Sequence, residues 1–362
     1  MRFGNFPVLP GPSMDIDVCL GKWHKRQMMM LSRHKGENSM KRVLIFVFKN
    51  TMASTFTGPL DVFHQAGRLY NRLMGGPEVP FFDVKLVSLD GQPFETRTGM
   101  RVIPHLSIEE EAPADLILIS PLGSLNINRY PGAVDWLKNH SKKGADIASV
   151  CTGAFLLAET GLLKGKTATT HWAFTDLFRE RFPLVDLRPE QIITDEGRIY
   201  CSAGFTAAID LSLYLVEKYC GHDVALNSAK VMLYDLGRNS QSVYSVFRFK
   251  KNHKDSSILE IQAWIENHYS KKIQYDDLAK RFGLSPRSLE RRFKAATGVT
   301  PLNYLHQVRV EASKRLLEES DKSFDEITWQ VGYGDGGFFR KVFVKETGLR
   351  PMAYRQRFRR TS

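Results

Sequence analysis

The chain has 362 residues, of which 43% are hydrophobic and 25% are charged, so it is long enough for two domains with separate cores. Its net charge of +12 is uneven, because residues 254–362 hold 21 Lys and Arg against 14 Asp and Glu, whereas residues 41–253 hold 24 against 22. A basic small domain behind a nearly neutral large one is typical of a sensor joined to a domain that binds a polyanion. Since no apolar run is long enough to span a bilayer and no signal-peptide pattern is present, we expect no membrane association and a cytoplasmic protein.

The start of the chain has no pattern of regular structure, and the cysteines have no pattern of a metal site or of disulfides. Residues 1–40 mix Gly, Pro, His and charged residues without periodicity, which predicts a disordered extension. The four cysteines (Cys19, Cys151, Cys201 and Cys220) have neither the spacing of a metal site nor that of a disulfide framework. We therefore expect no metal and no cofactor.

From residue 41 onward, strands alternate with helices. Residues 43–48 form a continuous apolar run, as expected of a parallel strand buried on both faces. The segment that begins at Gly58-Pro59 predicts a helix running towards Tyr70. The other predicted strands are 82–88, 116–120, 146–150 and a hairpin of 191–194 with 198–201, and the other predicted helices are 131–141, 152–159, 174–182, 203–219 and 223–236. This alternation predicts an α/β doubly wound, flavodoxin-like domain over residues 41–237.

The remainder of the chain predicts a linker and an all-α domain. Residues 238–257 are polar and lysine-rich without a sustained period, which is typical of a linker. Residues 258–357 then predict two helix-turn-helix units joined by one long helix. This central helix starts at Thr300-Pro301, and its predicted apolar stripe consists of Leu305, Val308, Ala312 and Leu316.

The first unit contains a capped basic helix. Ser285 is a suitable N-cap, Pro286 occupies the first turn and Gly298 ends the helix. Its apolar face is formed by Leu289, Phe293 and Ala296, and the opposite face carries Arg287, Glu290, Arg291 and Lys294. This pattern is typical of a recognition helix that lies in a major groove. An ordinary helical hairpin with a solvated basic face is the alternative.

The second unit repeats this arrangement. Ser323 and Glu326 have the spacing of a capping box, and Asp335 can cap a following helix that carries Arg340 and Lys341. The block resembles the AraC/XylS family of DNA-binding domains, in Val331-Gly332-Tyr333, Phe338-Phe339 and the segment Thr347-Gly348-Leu349-Arg350-Pro351.

The resemblance implies that both recognition helices read successive major-groove segments of double-stranded DNA. Carried onto this chain, it places Arg287, Ser288, Glu290, Arg291 and Lys294 of the first helix, and Arg340 and Lys341 of the second, at the DNA. We expect base reading to be concentrated in the first helix, because Gly336 and Gly337 offer the second helix no side chains there.

Cys151 is the informative residue of the large domain. It follows a predicted strand and precedes a helix, which is the context of a nucleophile elbow with cysteine in place of serine. We expect this turn to face a ligand pocket, with a thiolate favoured by the helix N-terminus. A buried cysteine packed as a small apolar side chain is the alternative.

Residues 42–234 resemble the class I glutamine amidotransferase-like superfamily in its intracellular-protease (PfpI) branch. The matching pieces are Gly58-Pro59-Leu60-Asp61, the Cys151 elbow, Thr169-Thr170-His171-Trp172 and Ser202-Ala203-Gly204. Together with the C-terminal block, the architecture looks like the GlxA group of transcriptional regulators. The resemblance implies a ligand pocket formed by Cys151, Thr152, Thr55 and His171, although His171 could equally be bonded to backbone near the sheet edge.

Two substitutions argue against catalysis. Catalytic members carry a histidine directly after the cysteine, or a carboxylate four residues before the Gly-Pro proline. This chain has Thr152 and Thr55 at those positions. We therefore expect no enzymatic activity.

Three hypotheses follow for the whole chain. The favoured one is a transcriptional regulator whose large domain senses a small-molecule effector, which the resemblance suggests is an amine or amino-acid derivative. The alternatives are a cysteine-dependent hydrolase or amidase that carries a DNA-binding tail, and a dimerisation scaffold with an empty pocket. The expected partners are DNA, the effector, a second copy in a homodimer and, since most members of the family activate, RNA polymerase.

Overall fold

The strands of the large domain form one seven-stranded sheet and two small pairs. The computed structural model describes residues 40–238, 240–247 and 249–359. The strands are β1 (Lys41–Phe46), β2 (Phe82–Ser88), β3 (Phe94–Glu95), β4 (Arg101–Val102), β5 (Leu106–Ser107), β6 (Leu116–Ile119), β7 (Asp146–Val150), β8 (Thr167–Ala168), β9 (Asp186–Leu187), β10 (Ile193–Asp195) and β11 (Ile199–Ser202). Residues 1–39 lie outside the described residues, so the disorder predicted for residues 1–40 stays a prediction.

Helices surround this sheet and then form the C-terminal part of the chain. Those of the large domain are α1 (Ser54–Gln65), α2 (Leu69–Leu73), α3 (Ala133–Lys142), α4 (Gly153–Glu159), α5 (Thr175–Arg181), α6 (Ala207–Cys220) and α7 (His222–Val231). Those of the small domain are α8 (Ser256–His268), α9 (Tyr275–Arg281), α10 (Pro286–Thr297), α11 (Pro301–Glu319), α12 (Phe324–Gln330), α13 (Gly336–Thr347) and α14 (Pro351–Phe358). None of the helices described here is both long and apolar enough to cross a membrane.

The large sheet has the order β10-β11-β7-β6-β1-β2-β5 and is parallel except for the β10–β11 pair. β1 is an interior strand, between β6 and β2, and is buried on both faces: Val43 and Ile45 belong to one core, and Leu44 and Phe46 to the other. The chain leaves β1 on one side and returns to β6 on the other, which creates a switch point at their carboxyl ends. The fold class predicted from the sequence, a doubly wound α/β domain followed by an all-α domain, is confirmed.

The first helix differs from its prediction. It begins at Ser54 rather than Gly58, so Pro59 lies inside the helix instead of in its first turn. It ends at Gln65 because Gly67 takes a positive φ of 75° beside the carbonyl of Val79, where a Cβ atom would lie 2.1 Å from that oxygen. The predicted helix 223–236 likewise ends early, at Val231.

The central helix of the small domain serves two cores. Its N-terminal half supplies Tyr304 and Leu305 to the core of the first unit, and its C-terminal half supplies Val310 and Leu317 to the core of the second. With 19 residues it is about 28 Å long. The apolar stripe predicted for this helix therefore omits buried residues such as Tyr304, Val310 and Leu317, because a helix between two cores is buried on more than one side.

The connecting segment packs on the small domain. Val243 is buried in the core of the second unit, and the aromatic rings of Phe247 and Phe249 pack against the core of the first. The Lys314 ammonium donates a hydrogen bond to the Ser245 carbonyl, 2.8 Å away. The polar composition of residues 238–257 conceals these apolar anchors.

Candidate functional site

The turn at Cys151 has the strained backbone of an elbow. Cys151 joins β7 to α4 with a φ of +54°, a conformation that non-glycine residues rarely adopt. Its amide donates to the carbonyls of Ser202 and Ala203, 3.0 and 3.2 Å away, and its carbonyl accepts from Thr170 Oγ1 at 2.7 Å. Gly153 is required because a Cβ atom there would lie 2.6 Å from the Ile119 carbonyl oxygen. Neighbouring strands therefore hold the turn in place.

The thiol at this turn is buried and protonated. Cys151 is only 6% exposed, and burial raises the pKa of its thiol to about 11, although hydrogen bonds from Thr152 act in the opposite direction. The prediction of a thiolate is wrong. Burial removes the hydration of the charged form, and this effect is larger than the stabilisation by the N-terminus of the short helix α4.

The other three predicted pocket residues contact backbone groups. Thr55 Oγ1 donates to the Met52 carbonyl at 2.5 Å, and Thr152 Oγ1 accepts from the Leu122 amide at 2.9 Å. His171 Nδ1 accepts from the Ala173 amide at 3.1 Å. A role for these residues and Cys151 in a ligand site stays a prediction.

A cleft of about 370 Å³ opens near the switch point, at the carboxyl ends of β1 and β2. Its lining residues are Val47, Phe48, Lys49, Asn50, Ser88, Leu89, Asp90, Gln92, Pro93, Phe94, Gly123, Ser124, Arg129 and Tyr130. None of the four predicted pocket residues is among them. Sequence reasoning missed this cleft because its lining residues lie up to 83 positions apart, from Val47 to Tyr130, and carry no shared motif.

The walls of the cleft are fixed by close backbone packing. A Cβ atom on Gly123 would lie 2.0 Å from the Lys49 carbonyl oxygen, so the loop after β6 lies directly on the end of β1. The Tyr130 hydroxyl donates to the Ser124 carbonyl and accepts from the Ser124 amide, both at 2.8 Å. The cleft is thus a formed site that combines aromatic rings with charged side chains.

In the small domain, α10 presents the predicted basic face. Ser285 Oγ accepts from the Ser288 amide at 3.2 Å, and Gly298 ends the helix at a φ of 86°. Leu289 and Phe293 are fully buried. The side chains of Arg287, Glu290, Arg291 and Lys294 are exposed, and Ser288 is half-buried.

Arg292, on the same helix, has a structural role. Its guanidinium binds both carboxylate oxygens of Asp255, at 2.6 and 3.0 Å, and lowers the pKa of that carboxyl. Asp255 also caps α8 by accepting from the Ile258 amide at 3.3 Å. The pair therefore locks the recognition helix against α8.

The second recognition helix, α13, is capped in the same way. Asp335 Oδ1 accepts from the amides of Gly337 and Phe338, at 2.7 and 3.1 Å. Arg340 and Lys341 are exposed as predicted. In the described small domain the ion pairs involve Lys251, Arg292, Lys314 and Arg359, so the basic residues predicted to meet DNA keep their charges unpaired.

Comparison with known proteins confirms both resemblances. Residues 41–218 match the DJ-1/PfpI family, and residues 278–357 match a helix-turn-helix domain family. The chain is similar to the HTH-type transcriptional regulator CdhR of Pseudomonas aeruginosa, with 28% identity over 71% of this chain and 77% of CdhR. It is 27% identical to the regulator GlxA of Rhizobium meliloti over 61% of this chain and 68% of GlxA. The HTH-type transcriptional activator RhaS of Klebsiella pneumoniae is 36% identical over 29% of this chain and 37% of RhaS.

The two recognition helices should respond differently to loss of a basic residue. Arg291→Ala should cost about 1–3 kcal/mol of binding free energy and relax the preference at one base pair, because arginine can contact guanine bidentately. Lys341→Ala should weaken binding to all sequences to a similar degree, as expected of a phosphate contact. Binding isotherms on the duplex that the full chain prefers in an in vitro selection, and on single-base variants of that duplex, measure both effects. Equal loss of discrimination in the two variants would contradict this assignment.

Proposed function

Because this chain joins a DJ-1/PfpI-family domain to an AraC-type helix-turn-helix domain, we propose that it is a sequence-specific DNA-binding transcriptional regulator controlled by a small molecule. The observation that carries the proposal is the pair of capped helices, α10 and α13, with unpaired basic side chains on their exposed faces. Regulators similar to most of the chain support it.

The large domain is the sensor in this proposal. The cleft beside β1 and β2 has the size of small-molecule sites and lies at the sheet edge where doubly wound domains bind ligands. The hydrolase alternative is less well supported, because burial raises the pKa of the Cys151 thiol to about 11 and the chain has threonine hydroxyls, which are no base, at positions 55 and 152 where catalytic relatives carry a carboxylate or a histidine. RhaS is named as an activator, and we include activation in the proposal. A homodimer as the DNA-binding form and RNA polymerase as the partner of an activator are further parts of the proposal.

A single linker residue supplies a route between the domains. Gln241 is only 4% exposed and is inserted into the large domain. Its side-chain amide donates to the Thr170 carbonyl at 2.8 Å, and its side-chain oxygen accepts from the Trp172 amide at 3.1 Å. Its backbone amide donates to the Glu190 carbonyl at 2.9 Å.

Gln241 is connected to the elbow through hydrogen bonds and to the small domain through the chain. Thr170, whose carbonyl binds Gln241, donates its hydroxyl to the Cys151 carbonyl. Two residues after Gln241, Val243 enters the core that supports α13. In our proposal, effector binding alters the backbone beside the elbow, Gln241 moves with it, and the small domain changes its position.

DNA binding is the direct test of the proposal. In vitro selection on the full chain should yield a preferred duplex, and affinity should fall steeply with salt because bound Lys and Arg displace counterions. A fragment of residues 240–362 should prefer the same duplex, although more weakly if dimerisation is lost. A fragment that begins at residue 254 should be less stable, because it lacks Val243, Phe247 and Phe249. Failure of the full chain to prefer any sequence over random duplex at moderate salt would refute the proposed function.

The reactivity of Cys151 separates the sensor from the hydrolase. Iodoacetamide reacts with thiolates, and a thiol whose pKa is about 11 forms roughly tenfold more thiolate for each unit of pH between 7 and 9. We therefore expect labelling of Cys151, followed by peptide mass spectrometry, to be slow at pH 7 and to rise without a plateau. The buried Cys220, whose pKa is raised to about 12, is the internal reference. A plateau below pH 8, together with amide hydrolysis abolished by Cys151→Ser, would favour the enzyme.

Coupling through Gln241 can be tested without knowing the effector. Coupling is reciprocal, so DNA bound to the small domain must change the large domain if the two are linked. In the wild type, DNA should alter hydrogen exchange at the Trp172 amide, and in Gln241→Ala this response should disappear while DNA affinity changes by less than about threefold. The neighbouring Ser242→Ala variant is the control and should keep the response. A response that persists in Gln241→Ala would mean that the signal takes another route.

A further inference from the structure

Phe338 is the first residue of the second recognition helix with a side chain. α13 begins with Gly336 and Gly337, so no other side chain precedes this ring on the helix. Phe338 is 49% exposed, whereas the next residue, Phe339, is fully buried. The sequence-based prediction assigned the contacts of this helix to Arg340 and Lys341 and left Phe338 without a role.

The position of the ring is set by its neighbours. Its centroid lies 6.1 Å from that of His306, in an edge-to-face contact, and 6.0 Å from that of Tyr333. Tyr333 is itself buried and stacks on Phe339 at 4.3 Å. One side of the Phe338 ring therefore packs on His306 and Tyr333, and the other side is exposed to solvent.

The start of α13 is poorly suited to binding phosphate. Helix N-termini bind anions through free backbone amides. Here the Asp335 carboxylate already accepts from the amides of Gly337 and Phe338, and its negative charge lies at the same place. Apart from its backbone, this turn presents an apolar ring to any duplex that it meets.

The remaining exposed face of α13 complements that ring. Phe338 and Lys341 are three residues apart, so they lie on the same side of the helix. The Arg340 guanidinium instead lies over the ring of the buried Phe324, 5.4 Å from its centroid. The side of the helix that carries the Phe338 ring thus has the Lys341 cation next to it and the exposed Lys345 one turn further on.

We propose that Phe338 recognises a thymine by contact with its C5 methyl group, and this inference rests on the proposed DNA-binding function. The thymine methyl is the one apolar group on the base edges of the major groove. Against any other base edge the ring would desolvate donors and acceptors without pairing them. The second helix therefore contributes base specificity of its own, by an apolar contact that does not use Arg340 or Lys341.

Replacing thymine with uracil tests this contact, because uracil lacks only the methyl group. The full chain is first used to select its preferred duplex, and each thymine is then replaced singly. One replacement in the segment read by the second unit should weaken wild-type binding roughly fourfold, the factor expected for burial of one methyl group. In Phe338→Ala the same replacement should have no effect, and in Phe338→Leu a smaller effect should remain.

Trp329→Ala is the matched control for loss of an exposed aromatic side chain. Trp329 is 69% exposed but belongs to α12, the helix that precedes the recognition helix. This variant should retain the full uracil effect, and circular dichroism should show that both variants are folded. A preferred duplex with no methyl-sensitive thymine, or equal methyl sensitivity in wild type and Phe338→Ala, would overturn the inference while leaving the proposed function intact. No preferred duplex at all would overturn both.

Discussion

The buried amide of Gln241 is the constraint on which the arrangement of the two domains depends. It pairs with the Thr170 carbonyl and the Trp172 amide in a place that water does not reach. Leaving either group unpaired would cost about 1–3 kcal/mol, so the glutamine is held firmly. Because Val243 follows two residues later in the core of the second unit, the small domain cannot move freely relative to the elbow. A solvated polar tether would impose no such constraint.

At the elbow, backbone geometry and side-chain chemistry lead to different conclusions. A cysteine at a φ of +54° stores about 1–3 kcal/mol of strain, which the amide bonds to Ser202 and Ala203 and the close approach of Gly153 maintain. In a cysteine enzyme such a turn presents a reactive thiolate. Here burial raises the pKa of the Cys151 thiol to about 11, so the backbone has the geometry of an elbow while the surroundings of the side chain disfavour the thiolate at neutral pH.

The small domain links two reading surfaces through one rigid helix. Since α11 belongs to both cores, the units that carry α10 and α13 cannot rotate independently without exposing buried side chains such as Tyr304 and Leu317. The Asp255–Arg292 pair fixes α10 in the same way. Exposed side chains on the two helices can therefore be matched to two fixed segments of one duplex, and the chemistry of each surface can differ.

The sequence by itself determined the fold class and most of the elements, because the continuous apolar run of β1 and the caps at Ser285, Ser323 and Asp335 are local signals. It also located the exposed basic face of α10, since one helical face follows from spacing alone. Tertiary structure alone decided the thiol's protonation state, the burial of Gln241 and the walls of the cleft, because each depends on groups distant in the chain. The exposure of Phe338 is of the same kind: spacing cannot distinguish it from Phe339, and only the packing of Tyr333 and His306 leaves one ring outside the core.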